Sequence, residues 1–343
     1  MRSSLGFSTL GFVLLSAGCF DPQDSDPGSS ESTDNGSTTS VGATSVDTPM
    51  GSSGTPEPPG GVTTDVTAGA TSDAATTETG EDPDSSDDGS SSGGASTCGD
   101  TPGMVCVFAG EFLRGSDDPR VPPDEQPQTS IYLDEFEIDE FEVTVAEYVA
   151  CFEAGACSAP ADAFGDGSDC NWMRPGLDEH PINCIDWFQA DDYCAWADKR
   201  LPTEAEWEKA ARGVDGRTYP WGEETPTCEL AVMNDGGFGC GIGTPSLPVG
   251  SRSPDGDSPY GVKDVAGNVW EWVEDWYDPE YYGNAPTENP TGPGNGTAKI
   301  VRGGGWINST GSANTGLRMA DRAESAPVSG STSYGIRCAR TPR

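Results

Sequence analysis

The chain has 343 residues, of which 57 are acidic and 18 basic, so its formal net charge is −39. This balance argues against a nucleic-acid-binding protein, because contacts to phosphates need clustered Lys and Arg. The excess of acid favours cation binding or simple solubility, and solubility is the more general explanation.

The N-terminus has the pattern of an export signal. Arg2 precedes an apolar stretch of roughly 15 residues, too short for a membrane span, which needs about 20. The stretch ends in Ser-Ala-Gly-Cys at Cys19, which resembles a bacterial lipobox. We therefore expect residues 1–18 to be a lipoprotein signal peptide and Cys19 to carry acyl chains that anchor the protein stably. An ordinary secretory signal is the alternative.

Residues 19–97 are expected to form a disordered acidic tether rich in Ser, Thr and Gly. Between residues 21 and 97 there are fifteen acidic residues and no Lys, Arg or aromatic residue. Such a segment cannot bury enough apolar surface to offset the entropy of ordering. With the anchor, it predicts an exported lipoprotein of the bacterial outer membrane or cell surface. A tolerated low-complexity tail is the alternative.

Residues 98–343 have the composition of one folded domain, with 42 acidic and 17 basic residues. The segment contains ten cysteines, an even number, which in an exported chain favours disulfides. Its single histidine is His180, and no C-x-x-C pair occurs. A cysteine–histidine zinc site and a three-histidine iron site are therefore excluded.

Three segments of the domain carry a helix-capping pattern, a short polar residue followed three positions later by Glu or Gln. They begin at Thr144, Asp186 and Thr203, and Gly213 is placed to end the third. In the second segment, small and apolar residues recur on one helical face that includes Cys194. We expect Cys194 to point into the core.

Strand patterns are short and surrounded by Gly and Pro. GEFLRGS (110–116) and IYLDEFEIDEFEVT (131–144) alternate enough to predict strands. After Gly213 helical periodicity nearly vanishes for about 130 residues, which is unusual for a compact domain. Disulfides and a bound ion would stabilise such a region.

Five stretches of the chain form a pattern of motifs in a fixed order: HPINCIDWFQADDYCAWADKRLPTEAEWEKAARG (180–213), YPWG (219–222), YGVKDVAGNVWEWVEDWY (260–277), VRGGGW (301–306) and YGIRCAR (334–340). Over essentially residues 106–340 they resemble, in order and spacing, the formylglycine-generating enzyme, or sulfatase-modifying factor, family. The resemblance implies an α+β, loop-rich fold, an elaborated relative of the C-type lectin fold that disulfides and calcium hold together.

The resemblance also indicates what is missing. Enzymes of the family use copper, held by two cysteines, and oxygen to oxidise a sulfatase cysteine to formylglycine. A family serine is replaced here by Gly305, and the cysteine positions hold no sulfur: Asn308 or Ser309 stands at the first, Ala313 or Asn314 at the second. Because Cu(I) prefers thiolate ligands, we expect copper to be absent and the oxidase chemistry to be lost.

The resemblance further implies one disulfide, between Cys194 and Cys338. We expect the other eight cysteines to pair as near neighbours along the chain, although sequence alone leaves their connectivity open. The expected pairs are Cys98–Cys106, Cys151–Cys157, Cys170–Cys184 and Cys228–Cys240.

DVAGNVWEW (264–272) corresponds to a structural calcium site of the family. The resemblance assigns side-chain oxygens to Asp264 and Glu271 and backbone carbonyls to Gly267 and Val269. Oxygen ligands and a glycine that lets the chain turn back suit a hard cation. The family's second calcium site aligns poorly, and its candidates are only Asn234 and Asp235.

Trp270 and Trp306 would line a surface groove that receives an extended peptide in the enzymes, beside Gly305, Asn308 and Ser309. The alternative is that both indoles belong to the core. Arg318 and Arg322 would bind an acidic group in the groove, or instead pair with the domain's own acids.

These observations predict a surface lipoprotein whose domain lacks the copper cysteines and works as a binding module for a peptide, protein or glycan. The alternative is an oxidoreductase of the same superfamily that acts through unidentified residues. The sequence therefore leaves open whether the domain is an enzyme.

Overall fold

The computed structural model describes residues 98–99, 101–160, 169–236, 239–240, 246–309 and 316–342. The predicted signal peptide, Cys19, the tether up to residue 97, Ala313 and Asn314 lie outside the described residues. In the described part of the chain, no helix is long and apolar enough to cross a membrane.

In the described residues, nine short strands and four helices alternate with long loops. The helices are α1 (Val145–Glu153), α2 (Trp187–Trp196), α3 (Glu204–Arg212) and α4 (Tyr281–Asn284), with a 3₁₀ turn at Pro123–Glu125. The strands are β1 (Met104–Val107), β2 (Gly110–Arg114), β3 (Thr129–Leu133), β4 (Phe136–Asp139), β5 (Trp270–Trp276), β6 (Lys299–Arg302), β7 (Ala323–Ser325), β8 (Tyr334–Gly335) and β9 (Ala339–Arg340).

The strands form three small sheets, with strand orders β1-β4-β9, β2-β3 and β7-β6-β5-β8. All pairs are antiparallel except β5 with β8, which is parallel. After Gly213 the described chain has only one four-residue helix. The predicted α+β, loop-rich class is therefore confirmed.

The three capping patterns mark the starts of α1, α2 and α3. Each cap residue accepts a hydrogen bond from the backbone three residues on, and that residue's side chain accepts one in return. In α3, for example, the Glu206 amide donates to Thr203 Oγ1 at 3.2 Å, and the Thr203 amide donates to the Glu206 carboxylate at 2.8 Å. Each cap satisfies amides that a helix start leaves without a helical partner.

The strand predicted over 131–144 is two strands rather than one. It breaks at Asp134, whose amide donates to Asn289 Oδ1 at 2.8 Å and whose carboxylate accepts from Asn289 Nδ2 at 2.9 Å. The chain before the break pairs with β2, and the chain after it pairs with β1 and β9. The change of partner sheet, which alternation cannot show, explains the interruption.

All ten cysteines of the domain form disulfides, and the five pairings are those expected. Cys194–Cys338 joins α2 to the segment just before β9 across 144 positions, whereas the other four bonds close 6 to 14 positions. Cys194 is fully buried beside Ala190, as the helical spacing predicts. The long-range bond ties the end of the domain to its middle.

Candidate functional site

The loop after β6, residues 303–309, is held in a fixed shape by its own hydrogen bonds. Asn308 Oδ1 accepts from the Gly305 amide at 2.9 Å, and the Asn308 amide donates to the Gly305 carbonyl at 2.9 Å. Gly316 has a φ of +69°, and a Cβ there would lie 2.6 Å from Asn308 Nδ2 and 2.7 Å from Trp270 Cζ2. Gly305, Asn308, Gly316 and Trp270 are thus in direct contact.

The two tryptophans assigned to the groove differ in exposure. Trp270 is 8% exposed and packs in the hydrophobic cluster of α1, α2 and β5, so it is a core residue as well as a neighbour of Asn308. Trp306 is half-buried, and its Nε1 donates to the Thr332 carbonyl at 3.3 Å. Ile307, which no sequence pattern indicated, is 49% exposed beside it. An apolar residue at the tip of a loop leaves no periodic signal.

Ser309 and Asn234 lie on neighbouring segments of chain. They form an isolated parallel bridge, and the Asn234 amide donates to the Asn308 carbonyl at 2.7 Å. The Asn234 side chain accepts from the Gly236 amide at 2.9 Å, and Asp235 Oδ1 accepts from the Gly239 amide at 3.2 Å. Asn234 and Asp235, the candidates for the second calcium site, therefore each use a side-chain oxygen to accept a hydrogen bond from a glycine that follows in the chain.

Arg318 and Arg322 pair with acids of the domain, which is the second of the two alternatives stated for them. Arg318 makes two hydrogen bonds of 2.6 Å to the Glu125 carboxylate. Arg322 is buried, donates to Glu204 Oε1 at 2.7 Å and stacks 4.2 Å from the Tyr282 ring. Their assignment to the groove is corrected, because these guanidinium groups are already engaged.

No described cysteine can supply a thiolate, since all of them are in disulfides. Within the described residues, one cluster brings three metal-ligand side chains within 4.8 Å, and it consists of Cys98, Cys106 and Glu135. Two of these three are joined by an S–S bond. At the described copper positions, Asn308 and Ser309 offer an amide and a hydroxyl, which are poor ligands for Cu(I).

The segment from Asp264 to Glu271 turns back on itself through unusual backbone angles. Asp264, Gly267 and Asn268 have φ values of +56°, +99° and +59°. At Gly267 a Cβ would lie 2.4 Å from the Val232 carbonyl oxygen, so a larger residue does not fit. The turn places Val269 directly before β5 and buries both acids, Asp264 at 6% and Glu271 at 1% exposure.

Of the two acids of this turn, Glu271 is bonded to the guanidinium of Arg337. Arg337 donates to both oxygens of Glu271, with its shortest bond at 2.7 Å, and Trp207 Nε1 donates to Glu271 at 2.6 Å. The Asp264 carboxylate accepts from the Gly250 amide. Burial raises the pKa of Asp264 to about 6, and the negative charge of Glu271 adds to the effect.

A third buried acid, Glu142, joins this group and was missed from the sequence. Its carboxylate accepts from Asn268 Nδ2 at 2.6 Å and from the Val269 amide at 3.1 Å. Burial raises the pKa of Glu142 well above its ordinary value, and repulsion from Asp264 and Glu271 raises it further. The only signal was an acid between Phe141 and Val143, both apolar.

The family resemblance places a calcium site in this region, where Glu142, Asp264 and Glu271 are buried near the guanidinium of Arg337. In the described residues these three carboxylates do not bring three ligand atoms within 4.8 Å of one another. Buried charge is costly unless it is paired, and oxygen donors are what calcium prefers. Asp264 and Glu271 would hold such an ion with the Gly267 and Val269 carbonyls, and the ion would fix the turn.

The sulfatase-modifying factor enzyme 1-like domain model matches residues 92–342. The chain belongs to this family. It is 34% identical over 290 residues to the formylglycine-generating enzyme of Streptomyces coelicolor, covering 70% of this chain and 89% of the relative. It is 30% identical over 287 residues to the inactive C-alpha-formylglycine-generating enzyme 2 of Mus musculus, covering 69% and 85%.

Solved structures show the same family fold. PvdO from Pseudomonas aeruginosa matches with a TM-score of 0.55 and 28% identity over 71% of this chain and 96% of that one. Treponema denticola variable protein 1 matches with a TM-score of 0.54 and 23% identity over 70% and 95%. The second likeness, at its low identity, shows the fold alone.

The most specific family motif of this sulfatase-modifying factor domain, KRLPTEAEWEKAARG, is structural. Every residue of α3 is buried, although five of the nine are charged. Glu208 accepts from Arg302 and Arg212, each at 2.8 Å, and Glu204 accepts from Arg322. The motif therefore specifies a buried network of ion pairs that connects α3 to β6 and to the chain near β7.

Proposed function

We propose that this protein is a non-oxidase member of the sulfatase-modifying factor family that works as a binding module for a peptide, protein or glycan. It is exported, anchored through acylated Cys19 and held away from the membrane by the acidic tether. Calcium, bound at Asp264 and Glu271, has a structural role. One fact carries the proposal: the positions of the copper cysteines hold no sulfur, and every described cysteine is already in a disulfide.

The binding surface is the loop at 303–309. It offers a half-buried indole at Trp306 and an exposed aliphatic chain at Ile307 on a backbone fixed by the Asn308 hydrogen bonds. A rigid loop loses little entropy on binding, which favours affinity. A relative named as a formylglycine-generating enzyme and a relative named as inactive match this chain at 34% and 30% identity, so sequence likeness is compatible with both classes.

An oxidation assay tests whether the domain has lost the copper-dependent oxidation of a sulfatase cysteine. The purified domain is incubated with Cu(I), oxygen and a peptide carrying the sulfatase Cys-x-Pro-x-Arg motif, and aldehyde formation is followed by mass spectrometry. We expect no turnover above a copper-only blank. Turnover in the wild type would overturn the proposal.

A chelator experiment tests calcium. Removing a ligand that binds only the folded state lowers stability, so chelator should lower the melting temperature of the wild type. Asp264→Ala should abolish this response, whereas Glu324→Ala, at an exposed acid on β7, should keep it. If chelator leaves the melting temperature of the wild type unchanged, the proposed calcium site is wrong.

Fractionation of cells tests the anchor. Cys19→Ser removes the residue that would be acylated, so the protein should move from the membrane fraction to the soluble fraction. The matched variant Ser16→Ala leaves the cysteine in place and should stay with the membrane. Membrane association unchanged by Cys19→Ser would contradict the lipoprotein proposal.

A further inference from the structure

A shallow cavity, open to solvent, lies on the loop that follows α3, outside the residues of the site above. Its volume is about 360 Å³, within the usual range for small-ligand sites. One aromatic side chain, two acids, one base and two glycines line it: Trp221, Asp215, Glu223, Arg217, Gly216 and Gly222. Nothing in the non-oxidase proposal uses these residues.

The aromatic wall of the cavity is rigid. Tyr219 stacks on Trp221 with ring centroids 5.3 Å apart and planes 6° from parallel. Trp221 Nε1 donates to the Glu224 carbonyl at 2.9 Å, and the Tyr219 and Gly222 backbones bond to each other in a tight turn. Because Tyr219 covers the indole from one side, Trp221 presents a fixed apolar surface to the cavity.

The polar groups around this indole are also held in place. Arg217 donates to both oxygens of Asp215, at 2.9 and 2.8 Å, and Glu223 accepts from the amide and the hydroxyl of Thr218 at 2.9 and 2.6 Å. A carboxylate has about four acceptor positions, so both acids keep acceptor capacity toward the cavity. The guanidinium also donates through Nη1 to the Pro220 carbonyl at 3.2 Å, so only its remaining N–H groups are available to a ligand.

We propose that this cavity binds a sugar ring of a neutral oligosaccharide. The face of an indole carries negative charge density and attracts the weakly positive C–H groups on the apolar face of a pyranose. Each sugar hydroxyl is both donor and acceptor, which suits a lining that combines two carboxylates with one guanidinium. A simple cation is the competing ligand, because two carboxylates against one guanidinium give the lining a net negative charge, but a cation would leave the guanidinium donors unused.

Chitotetraose, cellotetraose and maltotetraose are the probes, titrated at millimolar concentration into the full-length protein. Binding is followed through the Trp221 indole N–H signal by NMR. We expect one of the three to shift that signal saturably. Trp221→Ala should weaken binding of that probe, measured on the sugar's own NMR signals, by at least about tenfold.

Asp215→Asn and Glu223→Gln should each weaken binding several-fold while leaving the melting temperature nearly unchanged, which separates lost contacts from lost structure. Trp196→Ala, at a 41% exposed indole on α2, is the matched control and should bind like the wild type. If Trp221→Ala fails to fold, Asp215→Asn and Glu223→Gln test whether the sugar binds in this cavity.

The proposal is overturned if none of the three oligosaccharides binds, if the variants bind as the wild type does, or if tetramethylammonium shifts the indole signal and the sugars do not. The last outcome would assign the cavity to a cation. These outcomes are independent of the oxidation assay, because the cavity contains neither Asn308 nor Ser309.

Discussion

At the scale of single residues, the loss of Arg337 is predicted to lower the free energy of unfolding the most. Arg337 is fully buried, is bound to Glu271 and donates to the backbone carbonyls of Asp139, Glu140 and Lys263. Its removal would leave buried acids without a cation. Breaking a buried pair by removing one partner is strongly destabilising, because the remaining charge stays desolvated.

We therefore expect Arg337→Met to lower the free energy of unfolding by about 3–5 kcal/mol, measured by urea denaturation. Arg120→Met is the matched control, since Arg120 pairs with Asp118 at 2.6 Å but its side chain is 83% exposed. Exposed pairs contribute about 0–1 kcal/mol. Equal losses in the two variants would contradict the role given to Arg337.

At the scale of elements, α3 is a charged helix inside the domain, and its N-terminus rests on a buried acid. Asp275 on β5 accepts from the Glu204 amide at 2.8 Å. Burial raises the pKa of Asp275 well above its ordinary value, with repulsion from Glu204 as the next cause. The folded chain therefore binds the Asp275 proton at a higher pH than the unfolded chain does.

The sign of the pH dependence follows from this difference. Where the folded state binds more protons, stability falls as pH rises. The contribution of Asp275 is fully present below the unfolded pKa of 3.8 and is lost as pH rises through the raised folded value. We expect the stability of the wild type, relative to Asp275→Asn, to be greater at about pH 5 than at about pH 8.

Urea unfolding of both proteins at several pH values, in chelator and at constant ionic strength, measures this effect. Asn keeps an oxygen that can accept from the Glu204 amide, so the comparison isolates the titrating group. A stability difference that does not change with pH would show that Asp275 keeps an ordinary pKa in the folded protein.

At the scale of the whole molecule, the long-range disulfide is the main covalent restraint. Cys194–Cys338 closes 144 positions, whereas Cys151–Cys157 closes six. In the chain-entropy model the first bond stabilises by about 5 kcal/mol and the second by about 2 kcal/mol. Replacing each pair by two alanines and comparing urea midpoints should therefore give a loss about twice as large for the long bond. Equal losses would contradict the entropic account.

Much of the fold was predictable because it depends on local chemistry. The capping residues Thr144, Asp186 and Thr203 mark helix starts by bonds that span only three positions. Near-neighbour cysteines pair because short loops bring their sulfurs together. The break at Asp134 was not predictable, because its cause is a side chain 155 positions away, Asn289.

The candidate site likewise contains features that the sequence reveals and features that only the packing decides. The absence of sulfur at Asn308 and Ser309 is a matter of residue identity and can be read directly from the chain. The role of Arg322 cannot, because a guanidinium can face a ligand or a carboxylate, and only the packing of Glu204 against it decides. Glu142 escaped notice for a related reason: its partners Asn268 and Val269 are 126 and 127 positions away.

The amino-acid sequence by itself determined the family, the helix starts and the acidic character of the chain. It also determined that cysteine is absent from the positions where the family binds copper. Each depends on residue identity or on bonds between close neighbours. Only the tertiary structure decided which acids lie near Arg337 and which arginines are engaged inside the domain. These are matters of burial, and burial depends on segments that are distant in the chain but adjacent in space.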